Sequence, residues 1–447
     1  MRIRQTVMIE VLLLLGWGAA GVGAVPAQEV REVDPSLQLH YVNYADESTP
    51  KNSVVVDVNG ATAYDDNVFS NNAARLGAMV FQTGVHVGLN EERERSTVNL
   101  DYQPEFLVYS KVKGYNQVNQ ILRFGAQYKV SPHFELSFQD SGYYYTGITS
   151  PGTSQGLSTE TGPPPSLNNT VTIPLAHEIM DEGRLDAFYQ MSRRSKFDFF
   201  GNVGIRNFSG VENPQLNLLN TQAFSGGVAY TYRLSATSNL GVTALHQNLR
   251  YGDSLDKIES AFLTFTWQGR SGFTASLFGG PQYVRLNDTI LLPSALPAVT
   301  TGYLARDVAA KWNGGGGVSA GWHSPGTVVQ VSAQRFTSDG GGVFTSVMST
   351  SEGFEVRRHV IQHWDLLLTG MNAQSKALSP LFGGGVLDGQ TGSLMIEREI
   401  ATNMVAQVGY MAGRQRVGGM YPFQVDMNKN YVTLGFIYRV GRFPLGR

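Results

Sequence analysis

The sequence predicts an all-β fold, a transmembrane antiparallel up-and-down β-barrel of about 18 strands, on three observations. Apolar and polar residues alternate along nearly the whole chain, as in Val98, Leu100, Tyr102, Phe106 and Val108 with Asn99, Asp101, Gln103 and Glu105 between them. Successive side chains of a strand point to opposite faces, so such a segment has one greasy face and one that tolerates water. The chain also opens on an export leader, and its connectors alternate between tight turns and long links.

The leader comes first. Arg2 and Arg4 precede an apolar stretch from Val11 to Trp17, with Glu10 at its polar edge, and small residues lead to Val25, Pro26 and Ala27. This is the pattern of a secretory signal cleaved after Ala27, and its apolar run is much shorter than the ~20 residues that span a bilayer. Residues 28–51 are expected to be a periplasmic segment, 52–440 the barrel and 441–447 a carboxy-terminal tail. No later stretch is apolar for long enough to form a membrane helix, so entry into a membrane requires a closed barrel.

Alternation and turn residues mark strands at 52–64, 75–90, 95–109, 117–130, 133–147, 183–193, 196–208, 220–233 and 237–250. Further strands follow at 257–269, 271–284, 309–322, 327–338, 343–358, 362–374, 389–399, 402–412 and 428–440. The sixth and sixteenth of these alternate weakly, which keeps 16 strands as the alternative. Tight turns fall at Ser131 and Pro132, Arg193 to Lys196, Ser235 to Ser238, Gln268 to Ser271 and Ser324 to Gly326. The longest links run from Ile148 to Glu182 and from Leu286 to Val308, so that an even strand count puts both chain ends on the tight-turn, periplasmic side.

Tyr128, Phe134, Phe197, Tyr232, Trp267, Phe273, Trp322 and Trp364 lie within a few residues of the tight turns, each on the apolar parity of its strand. Amphipathic rings at headgroup level form such a girdle. Pro104, inside the third strand, removes a ladder hydrogen bond and calls for a bulge.

Composition bounds the chemistry. There is no cysteine, hence no disulfide, thiolate metal site or lipid-modified amino terminus. A formal net charge of −2 without clustered Lys and Arg argues against a nucleic-acid partner. His359 and His363, the two closest histidines, sit beside Arg357 and Arg358 and read as a solvated turn rather than a metal site. The glycines at 314–317 and 383–385 lack the Lys and Ser or Thr of a phosphate loop and suit bends or flexible loops. No nucleophile, base and acid can be assembled, so no enzyme activity and no cofactor is expected.

Inward parity supplies pore-lining candidates: Asp101 and Glu105 opposite Arg123 and Lys129, then Asp186, Asp198 and Arg206, with Phe188, Phe200 and Phe208 as aromatic lumen residues. Such charges either tune selectivity or pair across strands and stiffen the interior. Their mixed signs argue against strong anion selectivity. Ile290, Leu291, Leu292, Pro293, Leu296 and Pro297 make one long link too apolar to wave in water, and it is expected to pack against other outer loops or to fold inward. The Ile148 to Pro165 stretch reads as a flexible outer loop.

The hexapeptide Tyr64, Asp65, Asp66, Asn67, Val68 and Phe69, followed by repeated hairpins to the end, resembles a family of β-barrel porins often found beside exopolysaccharide-secretion genes. The resemblance spans residues 50–447 and implies an outer-membrane barrel. The three polar residues either start a loop by bonding nearby backbone or hold an ion. Thr433, Gly435 and Tyr438 resemble the carboxy-terminal signal read by the barrel-assembly machinery, although Gly441 to Arg447 follow where such chains commonly end on an aromatic; Phe443 within a longer last strand is the other register.

The expected function is a porin-like channel for passive diffusion of small polar solutes, embedded in outer-membrane lipid. An exit pore for a secreted exopolysaccharide and a closed structural or adhesive barrel are the alternatives. Whether the barrel forms a homotrimer stays open in the sequence.

Overall fold

The computed structural model describes residues 52–445, apart from 74, 113–114, 148–166, 169–175, 210–217, 270, 293–302, 362 and 419–425. The leader and the segment before residue 52 lie outside the described residues. The strands are β1 (Ser53–Asp65), β2 (Ala78–Glu92), β3 (Ser96–Tyr109), β4 (Gln117–Ser131), β5 (Phe134–Gly147), β6 (Ala176–Gln190), β7 (Ser195–Ser209), β8 (Thr221–Arg233) and β9 (Ser238–Tyr251). They continue as β10 (Ser254–Gln268), β11 (Phe273–Leu292), β12 (Tyr303–Ser324), β13 (Thr327–Gly340), β14 (Phe344–Ile361), β15 (Trp364–Ala377), β16 (Val386–Ala401), β17 (Met404–Gly418) and β18 (Met427–Pro444). Each pairs antiparallel with its sequence neighbours, and β1 pairs with both β2 and β18, so the 18-stranded sheet closes on itself. No α-helix occurs among the described residues; a single 3₁₀ turn covers Pro380–Phe382.

Closure follows from the alternation. Outward positions carry exposed apolar side chains, such as Phe106 and Val108 on β3, Leu263, Phe265 and Trp267 on β10, and Leu434, Phe436 and Tyr438 on β18. The inward positions of the same strands carry Gln103, Ser260 and Asp256, all buried. A strand crosses a bilayer with about 9–11 residues, and these strands are longer. Their excess shows as a change of outward chemistry toward the long-loop end: Ala244 gives way to His246, Ala261 to Glu259, Val432 to Asn430 and Ala412 to Arg414. At the other end, Tyr128, Tyr232, Trp267, Phe273 and Trp364 point outward, and Phe273 stacks on Trp322 with centroids 6.0 Å apart. The belt between these limits is the membrane-facing surface.

Several expectations change. β6 starts at Ala176 and includes His177 to Glu182, which the sequence placed in a loop because charged outward residues beyond the belt hide the alternation. β11 and β12 run on past the expected link as a two-stranded ribbon, with Leu286 opposite Ala309 and Leu292 opposite Tyr303, so Ile290, Leu291 and Leu292 are strand residues. Pro293, Leu296 and Pro297 lie outside the described residues. The glycines at 314–317 are not a bend or loop but part of β12, where a Cβ at Gly315 would meet the Gln282 side chain at 2.8 Å and one at Gly317 the Phe278 ring at 2.6 Å. Gly383 and Gly384 do form a turn, with φ of 56° and 73°.

Pro104 has no bulge. Its register partner on β4 is Gln120, and on β2 the ladder is interrupted opposite it, resuming in the same register at Gly84–Glu105 and Val87–Tyr102. The missing N–H is thus tolerated by a local gap in hydrogen bonding. β18 continues through Gly441 to Pro444 in place of the expected tail, with one register shift against β1 at Val56/Asp57, and this carries Phe443 into the exposed belt.

Candidate functional site

The lumen is narrowed by the chain itself. The β12–β13 ladder ends at the pair Gly316–Arg335, although β12 stays paired with β11 up to Tyr303. On the far side, the β14–β15 ladder ends at Val347–Ala377. Between these points, residues 336–342 and 344–349 are buried at every position, on both parities. A wall strand has one face exposed to lipid or lumen, so burial of both faces means that this hairpin has left the wall and entered the barrel.

Its anchors lie on β7, β10 and β11, from two to six strands away from β13 in the sheet. Arg206 on β7 donates to Asp339 Oδ2 at 2.8 Å and to Glu178 Oε1 on β6 at 2.9 Å, while its other terminal nitrogen donates to the Asn168 carbonyl at 3.0 Å. Asp339 also accepts the backbone N–H groups of Asn168 and Gly341. Gln282 on β11 accepts from the Thr337 backbone and hydroxyl at 3.2 and 3.3 Å. Thr345 donates to Asp288 at 3.2 Å, and Ser346 donates to Asp256 on β10 at 2.6 Å.

Apolar packing completes the seat. Met348 belongs to a cluster with Leu167, Met180, Leu249, Tyr251, Ile258, Val284, Leu286 and Leu378. Phe344 and Val347 pack with Phe382, Leu387 and Val417, the two phenylalanine rings meeting edge-on at 5.2 Å. The turn is made by Gly341 and Gly342, with φ of 65° and 87°, a region that side-chain-bearing residues rarely adopt. The hairpin is therefore seated inside the barrel and held there by side chains of three other strands.

Asp101, Glu105, Arg123, Lys129, Asp186, Asp198 and Arg206 lie on the parity opposite the exposed apolar residues of their strands. Arg123 lies 3.6 Å from Asp101, and the row continues from Asp101 to His86 at 2.5 Å, His86 to Asp57 at 3.2 Å and Asp57 to Arg439 at 3.4 Å. Glu105 instead bonds Gln82 and Asn119, and the expected Lys129 opposite it faces Glu135 in the ladder, because the two residues sit at different heights. Arg184 forms a two-point bond to Asp186 at 2.6–2.9 Å and lies 4.0 Å from Asp198. Arg206 belongs to the constriction. Phe188, Phe200 and Phe208 share the inward parity, with Arg184 over the Phe200 ring at 5.2 Å and Lys196 over Phe188 at 5.6 Å.

The hexapeptide is a clasp across the β1–β18 seam. Asp65 is fully buried and pairs with Lys429 on β18 at 2.8 Å, and its other oxygen accepts the Asn67 backbone N–H at 3.0 Å. Asp66 takes the Asn430 backbone and side chain at 2.7 and 2.6 Å and Arg75 at 2.5 Å. Partial burial alone would raise the Asp66 carboxyl, but the Asn430 hydrogen bonds and the Arg75 guanidinium outweigh it and hold the group below its ordinary value. Asn67 donates to the Asn428 carbonyl at 2.8 Å and caps the Asn71 N–H at 3.0 Å. Val68 is completely buried, Phe69 meets Tyr115 edge-on at 5.2 Å, and Tyr64 points outward.

His359 and His363 each face a carboxylate, Asp365 at 3.0 Å and Glu399 at 2.8 Å, and all four groups keep some exposure. Sequence reasoning missed Asp339, Asp256 and Asp288, the acidic anchors of the hairpin. The available signal was Asp339 directly before three glycines, beyond the last apolar residue on the outward parity of β13, Ala333.

No family model matches the sequence, and no curated protein matches it. Among solved structures, the fold is similar to OccK2 (OpdF) of Pseudomonas aeruginosa, at 9% identity and a TM-score of 0.45 over 87% of this chain and 98% of that one. It is similar to OpdK of the same organism, solved with vanillate, at 10% identity and a TM-score of 0.42 over 86% and 98% of the two chains. The FrpB iron transporter of Neisseria meningitidis is similar at 9% identity and a TM-score of 0.42, over 89% and 82%.

Proposed function

We propose that the protein is an outer-membrane channel for passive passage of small polar solutes, with its narrowest point at the inward hairpin 336–348. The observation that carries this reading is the hairpin itself: a segment buried on both faces, tied by side chains to β7, β10 and β11, strands with which it shares no ladder. A purely structural barrel needs no such element, whereas a channel uses one to set its bore. An 18-stranded barrel is wide enough to leave an aqueous path around a partial obstruction.

The wall below the hairpin supports passage of neutral or weakly charged solutes. Its inward positions carry many Ser, Thr, Gln and Gly residues, and its charges are paired in opposite sign along Arg123, Asp101, His86, Asp57 and Arg439. The last strand, with Thr433, Gly435 and Tyr438, suits recognition by the barrel-assembly machinery. Purified protein in a planar bilayer is expected to give stable, salt-dependent conductance steps with weak selectivity, shifted toward cations by Arg123→Ala. A silent bilayer with folded, inserted protein would overturn the channel reading in favour of a polymer exit pore or a closed barrel.

A further inference from the structure

Near the tight-turn end, far from the hairpin, three inward oxygen-bearing side chains stand in one row on consecutive strands. Asp365 on β15 is directly opposite Glu397 on β16, and Glu397 is directly opposite Gln407 on β17. Directly opposed side chains of an antiparallel pair have Cβ atoms about 4.5–5.5 Å apart, close enough for their oxygens to share one ligand. Glu397 is only 1% exposed, and neither of its carboxyl oxygens has a hydrogen-bond partner; the buried Gln407 Oε1 lacks one as well. Asp365 Oδ1 is held at 3.0 Å by His359 Nδ1, which fixes that carboxylate in place. Leu367 and Met395, opposite each other in the next inward row, are buried and close the site on one side.

His359 on β14, opposite Asp365 in the same row, is the basic partner of Asp365, and no ion pair reaches Glu397 among the described residues. Arg357, the inward basic residue of β14, stands opposite Leu367 rather than Asp365 and forms no ion pair with either carboxylate among the described residues. Two like charges directly opposed repel, and a buried carboxylate without a partner is strongly unfavourable. A bound cation removes both penalties at once.

We propose that Asp365, Glu397 and Gln407 form a site for a hard divalent cation, with calcium the best fit. The donor set is oxygen alone, two carboxylates and an amide carbonyl, which suits hard cations and not the softer metals that seek imidazole or thiolate. Three strands of a fixed ladder cannot offer near-ideal octahedral geometry, and calcium accepts irregular coordination more readily than magnesium. The site is independent of the channel reading, since it is built on wall residues at the end of the lumen opposite the constriction.

The test uses the full barrel refolded from denaturant into detergent, so that no lipopolysaccharide contributes binding, and stripped with a chelator. Calcium chloride is titrated by calorimetry into the wild type, Glu397→Gln and the outward-facing control Glu259→Gln. One saturable site per chain is expected in the wild type and in the control, and none in Glu397→Gln, with heat-dependent gel mobility showing that all three are folded. Calcium should raise the thermal unfolding temperature of the wild type and leave that of Glu397→Gln unchanged. No saturable binding in the wild type, or equal binding in Glu397→Gln, would overturn the proposal. Glu397 would then carry a proton or accept the Gln407 amide.

Discussion

Arg206 is the most informative side chain to remove. It is 2% exposed and holds two carboxylates, Glu178 on the wall and Asp339 on the hairpin, at 2.9 and 2.8 Å. Arg206→Met keeps much of the volume and leaves both acids buried without their cation. Breaking a buried pair in this way costs about 3–5 kcal/mol, because the stranded charge loses its partner and does not regain water. The barrel ladder is untouched, so this cost falls on the seated position of the hairpin. If the tether holds the hairpin closed, its closed-to-open ratio should fall by roughly two to three and a half orders of magnitude. Single-channel recording should then show larger mean conductance and strong open-channel noise. The double variant Arg206→Met with Asp339→Asn should recover part of the wild-type behaviour, since it removes one stranded charge. Unaltered conductance and noise in a folded Arg206→Met barrel would refute the tether.

Three further outcomes follow from the geometry. Folding lowers the Asp66 carboxyl below its ordinary value of 3.8, so the clasp's contribution is complete above that value and is lost as pH falls through the lower folded one; proteolysis of the loop 66–77 should rise in that acid range in the wild type, and Asp66→Asn should flatten the dependence. A cysteine placed at the exposed inward position Asn99 should react with a water-soluble thiol reagent, and those at Leu100 and Tyr102 should not; the reverse pattern would mean that the two faces are exchanged. Leu263→Arg, at the centre of the exposed belt, should destabilise the barrel in lipid by about 2–4 kcal/mol, while Thr264→Arg on the inward face should cost much less by equilibrium unfolding.

Strand number and facing were legible because lipid imposes a strict rule on one parity. Val98 to Val108 and Phe265 to Trp267 have only one side that can face hydrocarbon. The clasp was visible as a motif, yet its task was not, since Lys429 and Asn430 lie more than 360 residues away and only closure brings them to Asp65 and Asp66. The constriction was hidden for a different reason. Most strands turn polar once they leave the belt, so Thr337 to Ser346 looks in sequence like an ordinary overhanging pair of strands. What distinguishes it is the early end of the β12–β13 ladder, a property of pairing rather than of pattern. The β11–β12 ribbon was misread as a loop because, without neighbours on both sides, its residues need no clean alternation. The row of Asp365, Glu397 and Gln407 likewise emerges only from register.

The most direct measurement is single-channel conductance of a barrel whose residues 337–346 are replaced by a short Gly and Ser linker joining Phe336 to Val347, compared with the wild type under the same salt. If the hairpin sets the bore, the shortened barrel should conduct in clearly larger steps and admit larger uncharged polymers in exclusion experiments. A step size and an exclusion limit equal to those of the wild type, in protein shown to be folded and inserted, would contradict the account.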